Sequence, residues 1–199
     1  MTHLALPTDF NVATYFVDRH IAEARDQKVA LECGEERVTY RQFFERVNGL
    51  GNVFKRLGVR CEERVALLLL DTPEFAYSFF GAIKIGAVAV PMNTMLTPRE
   101  YEYVLNDSRA RIVIVSESLL PQLQAIPKSN LRYLETVIVH GQAPEGAHSL
   151  QQVLSAASAD LRAEPTNKDD AAFWLYSSGS TGRPKGCVHL HHDMVVCAE

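Results

Sequence analysis

The residues with the clearest capacity for chemistry lie in the segment Tyr176–Gly186, near the end of the chain. The segment runs YSSGSTGRPKG and combines three glycines, four serine or threonine hydroxyls and Lys185. Glycines let a backbone approach a ligand closely, while hydroxyls and exposed backbone N–H groups donate hydrogen bonds to phosphate oxygens. The segment therefore predicts polyphosphate binding. The alternative is a solvated, glycine-rich surface turn.

The segment differs from the Walker A loop of kinases and P-loop ATPases. Gly179 and Lys185 have the separation which that loop requires, but Pro184 stands in place of its second glycine. Gly186 stands in place of the hydroxyl residue that binds magnesium. Kinase and P-loop ATPase functions therefore lose support.

Other residues that could carry chemistry have simpler structural explanations. Three histidines and an aspartate resemble a metal cluster: His189, His191, His192 and Asp193. No second group of ligands accompanies them, so we expect no metal site, and a helix-capping role for Asp193 or a nearby histidine. We expect Cys187 to pack as a small hydrophobic residue in an apolar strand. Acidic pairs at predicted turns favour a solvated face over a general acid and base: Glu35–Glu36, Glu62–Glu63 and Asp169–Asp170.

Helices are predicted from capping signals that precede apolar stripes. A Thr39–Gln42 capping box precedes a stripe at steps of four and three, and Gly58 suits the end of that helix. A second helix follows the Thr72 hydroxyl and runs to about Ile85, with Gly86 after it. Further helices are predicted from the Thr97–Glu100 capping box to about Asn106, and over Leu150–Ala157.

Short, continuous apolar runs alternate with these helices, and each is typical of a strand covered on both faces. They are Arg64–Leu70, Ala87–Val90, Arg111–Ser116, Thr136–Val139 and Ala171–Tyr176. The alternation predicts an α/β fold with a doubly wound, mostly parallel sheet and flanking helices. In such sheets ligands bind beyond the carboxyl ends of strands, where Tyr176–Gly186 lies. His140–Asp170 is predicted to be a surface excursion rather than an interdomain linker.

Composition excludes several classes of protein. The chain has 199 residues, 47% hydrophobic residues and a formal net charge of -4, so neither disorder nor general nucleic-acid binding is favoured. Four cysteines lie far apart without a C-x-x-C pair, which favours a reduced, cytoplasmic protein without a zinc knuckle. No apolar run is long enough to predict membrane insertion.

Tyr176–Gly186 resembles the phosphate-binding signature of the adenylate-forming, or AMP-binding, superfamily of acyl- and aryl-CoA synthetases, peptide-synthetase adenylation domains and firefly-type luciferases. The one departure is Ser177 in place of the usual threonine, which keeps the hydroxyl. Val38–Tyr40 and Gly81–Asn93 resemble upstream motifs of the same superfamily. Several stretches look most like the benzoate-CoA ligase group: Phe10–His20, Arg46–Asn52, Leu69–Phe75, and Ser177–Gly186 followed by Val188 and His189.

The resemblance implies the amino-terminal part of the large adenylate-forming domain and a two-step reaction. A carboxylate attacks the α-phosphate of Mg-ATP to give an acyl-adenylate and pyrophosphate, and the thiol of coenzyme A then displaces AMP. The side chains of Ser178, Ser180, Thr181 and Lys185 would contact the β- and γ-phosphates, while Arg183 falls at a variable position and receives no role. The implied ATP-phosphate site comprises Ser177, Ser178, Gly179, Ser180, Thr181, Gly182, Lys185 and Gly186.

By the same resemblance, the adenine and acid pockets, the magnesium-holding acid and a catalytic lysine lie downstream of this site. Residues 1–199 are therefore expected to be an amino-terminal portion that is inactive alone, with no catalytic residue assigned. The expected partners are a small carboxylic acid such as benzoate, ATP and coenzyme A. The alternatives are a standalone nucleotide-binding or interaction module, and an adenylating enzyme with a carrier-protein or luciferase-like acceptor. The acid and the oligomeric state stay open.

Overall fold

A computed structural model describes residues 5–177 and 182–198 of the chain. A π-helical turn over Thr14–Asp18 leads into the first helix. The helices are α1 (Arg19–Ala22), α2 (Tyr40–Arg56), α3 (Pro73–Lys84), α4 (Pro98–Asp107), α5 (Leu120–Gln124), α6 (Leu150–Ser155) and α7 (His191–Ala198). The strands are β1 (Val29–Cys33), β2 (Glu36–Thr39), β3 (Arg64–Leu68), β4 (Val88–Pro91), β5 (Ile112–Ser116), β6 (Thr136–His140), β7 (His148–Ser149), β8 (Ala171–Ser177) and β9 (Lys185–Leu190).

Seven of these strands form one sheet in the order β7-β6-β5-β3-β4-β8-β9, and β1 and β2 form a separate antiparallel hairpin. Neighbouring strands of the large sheet are parallel except for β8 and β9. The predicted mostly parallel sheet is therefore confirmed. Across residues 5–177 and 182–198, no helix is both long and apolar enough to span a bilayer.

Helices cover both faces of this sheet. On β3, Val65 and Leu67 are buried together with residues of α2 and α3, whereas Ala66 and Leu68 are buried with residues of α4 and α5. Successive residues of a strand point to opposite faces, so this division places a helical layer on each side. The doubly wound arrangement explains why the strand is a continuous apolar run rather than an alternating one.

The predicted helix ends are largely confirmed. Capping boxes are present at Thr39–Gln42 and Thr97–Glu100. Gly58 and Gly86 follow α2 and α3 with φ of 86° and 74°, a conformation that costs glycine little. The expected hydroxyl cap at Thr72 is wrong, because its side chain makes no capping hydrogen bond and its oxygen has no partner among the described residues. The proline that follows, at the first helical position, supplies the helix start instead.

The excursion between β6 and β8 is fastened to the fold, as expected of a segment that is not a linker. Two residues, His148 and Ser149, form β7 at the edge of the sheet, a strand that the sequence did not predict. The helix α6 ends at Ser155, two residues short of its predicted end. Side-chain amides of α2 then bind the chain, since Asn48 Nδ2 donates to the Ala159 carbonyl oxygen at 2.8 Å.

The amino-terminal segment packs against α3, which sequence patterns did not indicate. Asn11 Nδ2 donates to the Ile83 carbonyl oxygen at 3.0 Å. The side chain of Lys84 is fully buried, and its Nζ lies 2.6 Å from Asp18 Oδ1. Burial lowers the pKa of Lys84, and the hydrogen bond with Asp18 opposes that shift. This ion pair connects the π-helical turn to the last turn of α3.

Candidate phosphate-binding site

The predicted phosphate segment, residues 176–186, connects two antiparallel neighbours, β8 and β9. Ser177 at the end of β8 lies opposite Lys185 at the start of β9, and Tyr176 lies opposite Gly186. Four predicted site residues, Ser178, Gly179, Ser180 and Thr181, lie outside the described residues. The fold thus brings together Ser177 and Lys185, which are the two ends of the predicted site.

The phosphate segment follows the carboxyl end of β8, a strand parallel to β4 and β3. Ligands bind at this edge of α/β sheets, because connections that leave toward opposite faces of the sheet open a crevice beyond the carboxyl ends of the strands. Lys185 is exposed and has no carboxylate within 4 Å in the described part of the chain. Gly182 has a φ of 148°, and a Cβ atom added there would meet nothing within 4 Å. An ammonium group and an open backbone are therefore available to an anion.

Tyr176 holds the β8 side of the phosphate segment through its ring and its hydroxyl. The hydroxyl donates a hydrogen bond to Asp107 Oδ2 at 2.6 Å. Burial, and then this carboxylate, raise the pKa of Tyr176, so the phenol stays protonated. Its ring covers Gly186, where an added Cβ would lie 3.2 Å from the tyrosine Cζ. This close approach explains the need for glycine opposite an aromatic residue.

Arg183 holds the β9 side through a second contact with α4. Its guanidinium carbon lies 5.5 Å from the ring centroid of Tyr103, within the range of a cation–π interaction. Tyr103 and Asp107 are four residues apart and so lie on one face of α4. That face therefore contacts both sides of the phosphate segment. Sequence reasoning missed both contacts, because the spacing of two residues on a helix does not indicate what they meet.

A sequence profile described as AMP-binding enzyme matches residues 17–199 of the chain. The chain belongs to the AMP-binding enzyme family. It is 40% identical over 191 residues to a 4-hydroxybenzoate–CoA/benzoate–CoA ligase of Rhodopseudomonas palustris, covering 96% of this chain and 35% of that protein. It is also 40% identical over 197 residues to a benzoate–CoA ligase of Thauera aromatica, covering 98% of this chain and 37% of that protein.

A solved structure agrees with the fold of this AMP-binding chain. The crystal structure of an anthranilate CoA ligase in complex with anthranoyl-AMP matches it with a TM-score of 0.93 and 41% identity, over 97% of this chain and 37% of that one. The predicted resemblance to the adenylate-forming superfamily, and to its benzoate-CoA ligase group, is therefore confirmed. The chain spans little more than a third of the length of these relatives.

The histidines that follow the phosphate segment of this AMP-binding chain have structural roles. His191 is buried, and its Nδ1 accepts a hydrogen bond from the backbone N–H of Val12 at 3.1 Å. Burial lowers the pKa of His191 to about 4. Asp193 Oδ2 accepts from the Leu190 backbone N–H at 2.8 Å, which confirms the predicted capping role. Within residues 5–177 and 182–198, no group of three or more metal-ligating side chains could hold a metal ion.

Two expectations about burial near the phosphate segment are wrong. Cys187 is exposed rather than packed as a small hydrophobic residue, because β9 is the edge strand and its residues Lys185–Val188 are all exposed. The strand β8 is only partly buried, with Ala172 as its one buried residue in the described structure. Phe173, Trp174 and Tyr176 pack only partly buried against the two hydrophobic clusters, whereas β3 and β5 are buried along almost their whole length.

The acidic pairs form no general acid and base. Glu35 and Glu36 are exposed, as expected. Glu63 is not simply solvated, because it pairs with Arg111 at 3.0 Å, and the backbone N–H of Arg60 also donates to it. Asp169 lies 3.0 Å from His192 Nδ1. Glu63 and Asp169 therefore each contact a basic side chain.

Proposed function

We propose that this chain is the amino-terminal portion of the adenylate-forming domain of an ATP-dependent aryl-CoA ligase. The observation that carries the proposal is the phosphate segment, in which Lys185 is exposed opposite Ser177 at the carboxyl edge of a parallel sheet. The segment's position in an AMP-binding chain, 40% identical to two benzoate–CoA ligases, supports the same reading.

The reaction is an acid–thiol ligation in two steps. An oxygen of the acid's carboxylate attacks the α-phosphorus of ATP, and the bond to the β-phosphate oxygen breaks to release pyrophosphate. The thiol of coenzyme A then attacks the acyl carbon, loses its proton and expels AMP. Negative charge develops on phosphate oxygens in the first step, where fixed donors and cations lower the barrier most.

Within this chain, the phosphate segment would hold the β- and γ-phosphates during that first step. The hydroxyls of Ser178, Ser180 and Thr181 would donate to phosphate oxygens, together with the ammonium of Lys185. Gly179, Gly182 and Gly186 would allow the backbone to approach. Magnesium would accompany ATP as its counter-ion, and we assign none of the described residues as its ligand.

The acid is proposed to be benzoate or a related aromatic acid, and the acceptor to be coenzyme A. The two curated relatives are ligases of benzoate or hydroxybenzoate, and the solved relative is a ligase of anthranilate. A carrier-protein or luciferase-like acceptor, and a standalone binding module, are not favoured, because each of these relatives is named as a CoA ligase.

The test is acid-dependent exchange of labelled pyrophosphate into ATP, measured with benzoate, hydroxybenzoate and anthranilate. We expect exchange from a longer polypeptide read from the coding sequence beyond Glu199, and none from residues 1–199 alone. Robust exchange by the 199 residues would disprove the claim that they are a portion inactive by itself. No exchange by the longer polypeptide with any aromatic acid would overturn the assignment as an aryl-CoA ligase.

The role of the phosphate segment is tested by Lys185→Ala in the longer polypeptide, with Lys28→Ala as the matched control. Lys28 is also exposed but lies far along the chain, before β1. We expect the Lys185 variant to lose at least about tenfold in exchange rate, the equivalent of one charge-assisted contact to a phosphate. Equal exchange by the two variants would remove Lys185 from the site.

A further inference from the structure

A second concentration of positive charge lies at the amino ends of β3 and β5. Arg64 is the first residue of β3, and Arg111 immediately precedes β5. Together with Arg109 and Arg132 they line a cleft of about 390 Å³, which we call the amino-edge cleft. The cleft is close to β8 as well, because the guanidinium of Arg64 lies 5.6 Å from the ring centroid of Trp174.

The two acidic residues of the amino-edge cleft both pair with the same arginine. Arg111 Nη1 lies 3.0 Å from Glu63 Oε2, and Arg111 Nη2 lies 2.5 Å from Glu135 Oε2. These hydrogen bonds raise the pKa of Arg111, so its charge is permanent and locally neutralised. Four arginines face two glutamates in the cleft, which leaves an excess of two positive charges in a chain whose net charge is -4.

The other three arginines have no carboxylate within 4 Å in the described part of the chain. Arg64 donates instead to carbonyl oxygens, from Nε to Ser108 at 2.5 Å and from Nη1 to Glu62 at 2.8 Å. Burial, and then repulsion from Arg109, lower the pKa of Arg64. An anion beside both arginines would relieve this repulsion.

Arg109 and Arg132 are held at the cleft by the local fold. Arg109 follows the end of α4 with a φ of 53°, which a non-glycine residue rarely adopts, and its guanidinium lies 5.7 Å from the ring centroid of Tyr133. The backbone N–H of Arg132 donates to Asn106 Oδ1 at 3.0 Å, which ties this turn to α4. The guanidinium of Arg132 itself has no partner among the described residues. The cleft therefore contains two guanidinium groups without a carboxylate partner, of which that of Arg109 lies against the tyrosine ring.

We propose that the amino-edge cleft binds a phosphate-bearing anion of at least two negative charges, chiefly through Arg109 and Arg132. The planar fork of a guanidinium matches phosphate oxygens and binds them in pairs, which a lysine cannot do. The volume admits a pyrophosphate or the terminal phosphate of a larger molecule. This site is built from residues outside the phosphate segment, and its existence does not depend on the proposed function.

The experiment is calorimetric titration of residues 1–199 with inorganic pyrophosphate at low and at physiological salt. In the Lys185→Ala background, which removes the cation of the phosphate segment, we expect one pyrophosphate site to persist. Adding Arg132→Gln, or both Arg109→Gln and Arg132→Gln, should weaken that site by roughly 10- to 100-fold. Arg37→Gln is the control, because Arg37 is an exposed arginine of β2.

The outcomes separate this inference from the proposed function. No pyrophosphate binding in the Lys185→Ala background, or equal binding with and without the two cleft arginines, would overturn the proposal. If Lys185→Ala abolishes pyrophosphate binding without any substitution in the cleft, the phosphate segment is the binding site and the proposal of a cleft site is wrong. Thermal melting checks the fold, and Arg132→Gln should leave it unchanged because that side chain contacts no described group.

Titrations with ATP, coenzyme A and dephospho-coenzyme A identify the source of the phosphate. Coenzyme A carries a 3′-phosphate that its dephospho form lacks. If the cleft binds a terminal monophosphate, coenzyme A should bind at least about tenfold more tightly than dephospho-coenzyme A, and Arg109→Gln should abolish the difference. If it binds a free polyphosphate, pyrophosphate and ATP should bind while both coenzyme forms bind equally weakly.

Discussion

The folded chain should lose stability between about pH 7 and about pH 5 because burial opposes protonation of His191. Its side chain is 1% exposed, and its Nδ1 accepts the backbone N–H of Val12. Protonation would bury a charge and turn that acceptor into a donor facing another donor. This histidine connects the start of α7 to the amino-terminal segment, so the cost falls on the whole fold.

The sign and size of the effect follow from the lowered pKa. Burial, opposed only by the charge of Asp170, lowers the pKa of His191 from 6.5 to about 4. Between these values the unfolded chain binds more protons than the folded chain, so the free energy of unfolding falls as the pH falls. Above the ordinary pKa, protonation of this histidine takes nothing from the free energy of unfolding. That free energy falls by about 2 kcal/mol from pH 7 to pH 5, and the total loss approaches about 3 kcal/mol at lower pH.

Urea unfolding across this pH range, followed by the fluorescence of the single tryptophan, measures the effect. His191→Asn is the informative variant, because an amide oxygen can accept from Val12 near the position of Nδ1 without titrating. His148→Asn is the control, since His148 is exposed. Working above pH 5 avoids the lowered pKa values of Glu63 and Glu100, whose contributions are lost only at more acidic pH.

We expect His191→Asn to remove most of the slope of unfolding free energy against pH, and His148→Asn to leave it as in the parent chain. Burial also lowers the pKa of His20, so a smaller slope of the same sign should persist in the first variant. A full parental slope in His191→Asn, or a flat profile in the parent chain, would refute the reasoning.

Three further outcomes are expected from the same unfolding assay. Tyr176→Phe should lower the free energy of unfolding by about 1 kcal/mol and weaken pyrophosphate binding, because it removes the hydrogen bond to Asp107 of α4. Unchanged pyrophosphate binding would mean that this hydrogen bond does not position the phosphate segment. Asp18→Asn should lower the free energy of unfolding by about 3–5 kcal/mol, because it leaves the charge of Lys84 buried and unpaired. Lys84→Met should lower it less, because the Asp18 carboxylate that remains is partly exposed. A larger loss for Lys84→Met would contradict the assignment of Lys84 as the buried charge. Gly86→Ala should destabilise the fold more than Gly34→Ala. Both glycines have positive φ, but only a Cβ at position 86 would meet another atom closely, Cys61 Sγ at 2.8 Å. Equal losses of unfolding free energy would show that the Cys61 side chain moves aside.

Local sequence patterns predicted those parts of the fold that depend on near neighbours. The capping box at Thr39–Gln42 and the glycine at position 58 bounded α2, because helix ends are satisfied by residues within one turn. Continuous apolar runs predicted β3 and β5 as strands buried on both faces. The two-residue strand β7 carried no such pattern, since it forms only where β6 offers it an edge.

For the candidate site, the sequence by itself predicted the chemistry of the phosphate segment, because glycines, hydroxyls and a lysine at this spacing suit a phosphate group. The tertiary structure decided what surrounds that chemistry. Tyr176 meets Asp107 across 69 residues, His191 meets Val12 across 179, and Cys187 is exposed because β9 lies at the edge of the sheet. The arginines of the amino-edge cleft likewise come from separate strands and turns. Such contacts are set by strand order and helix packing, which no local pattern of residues records.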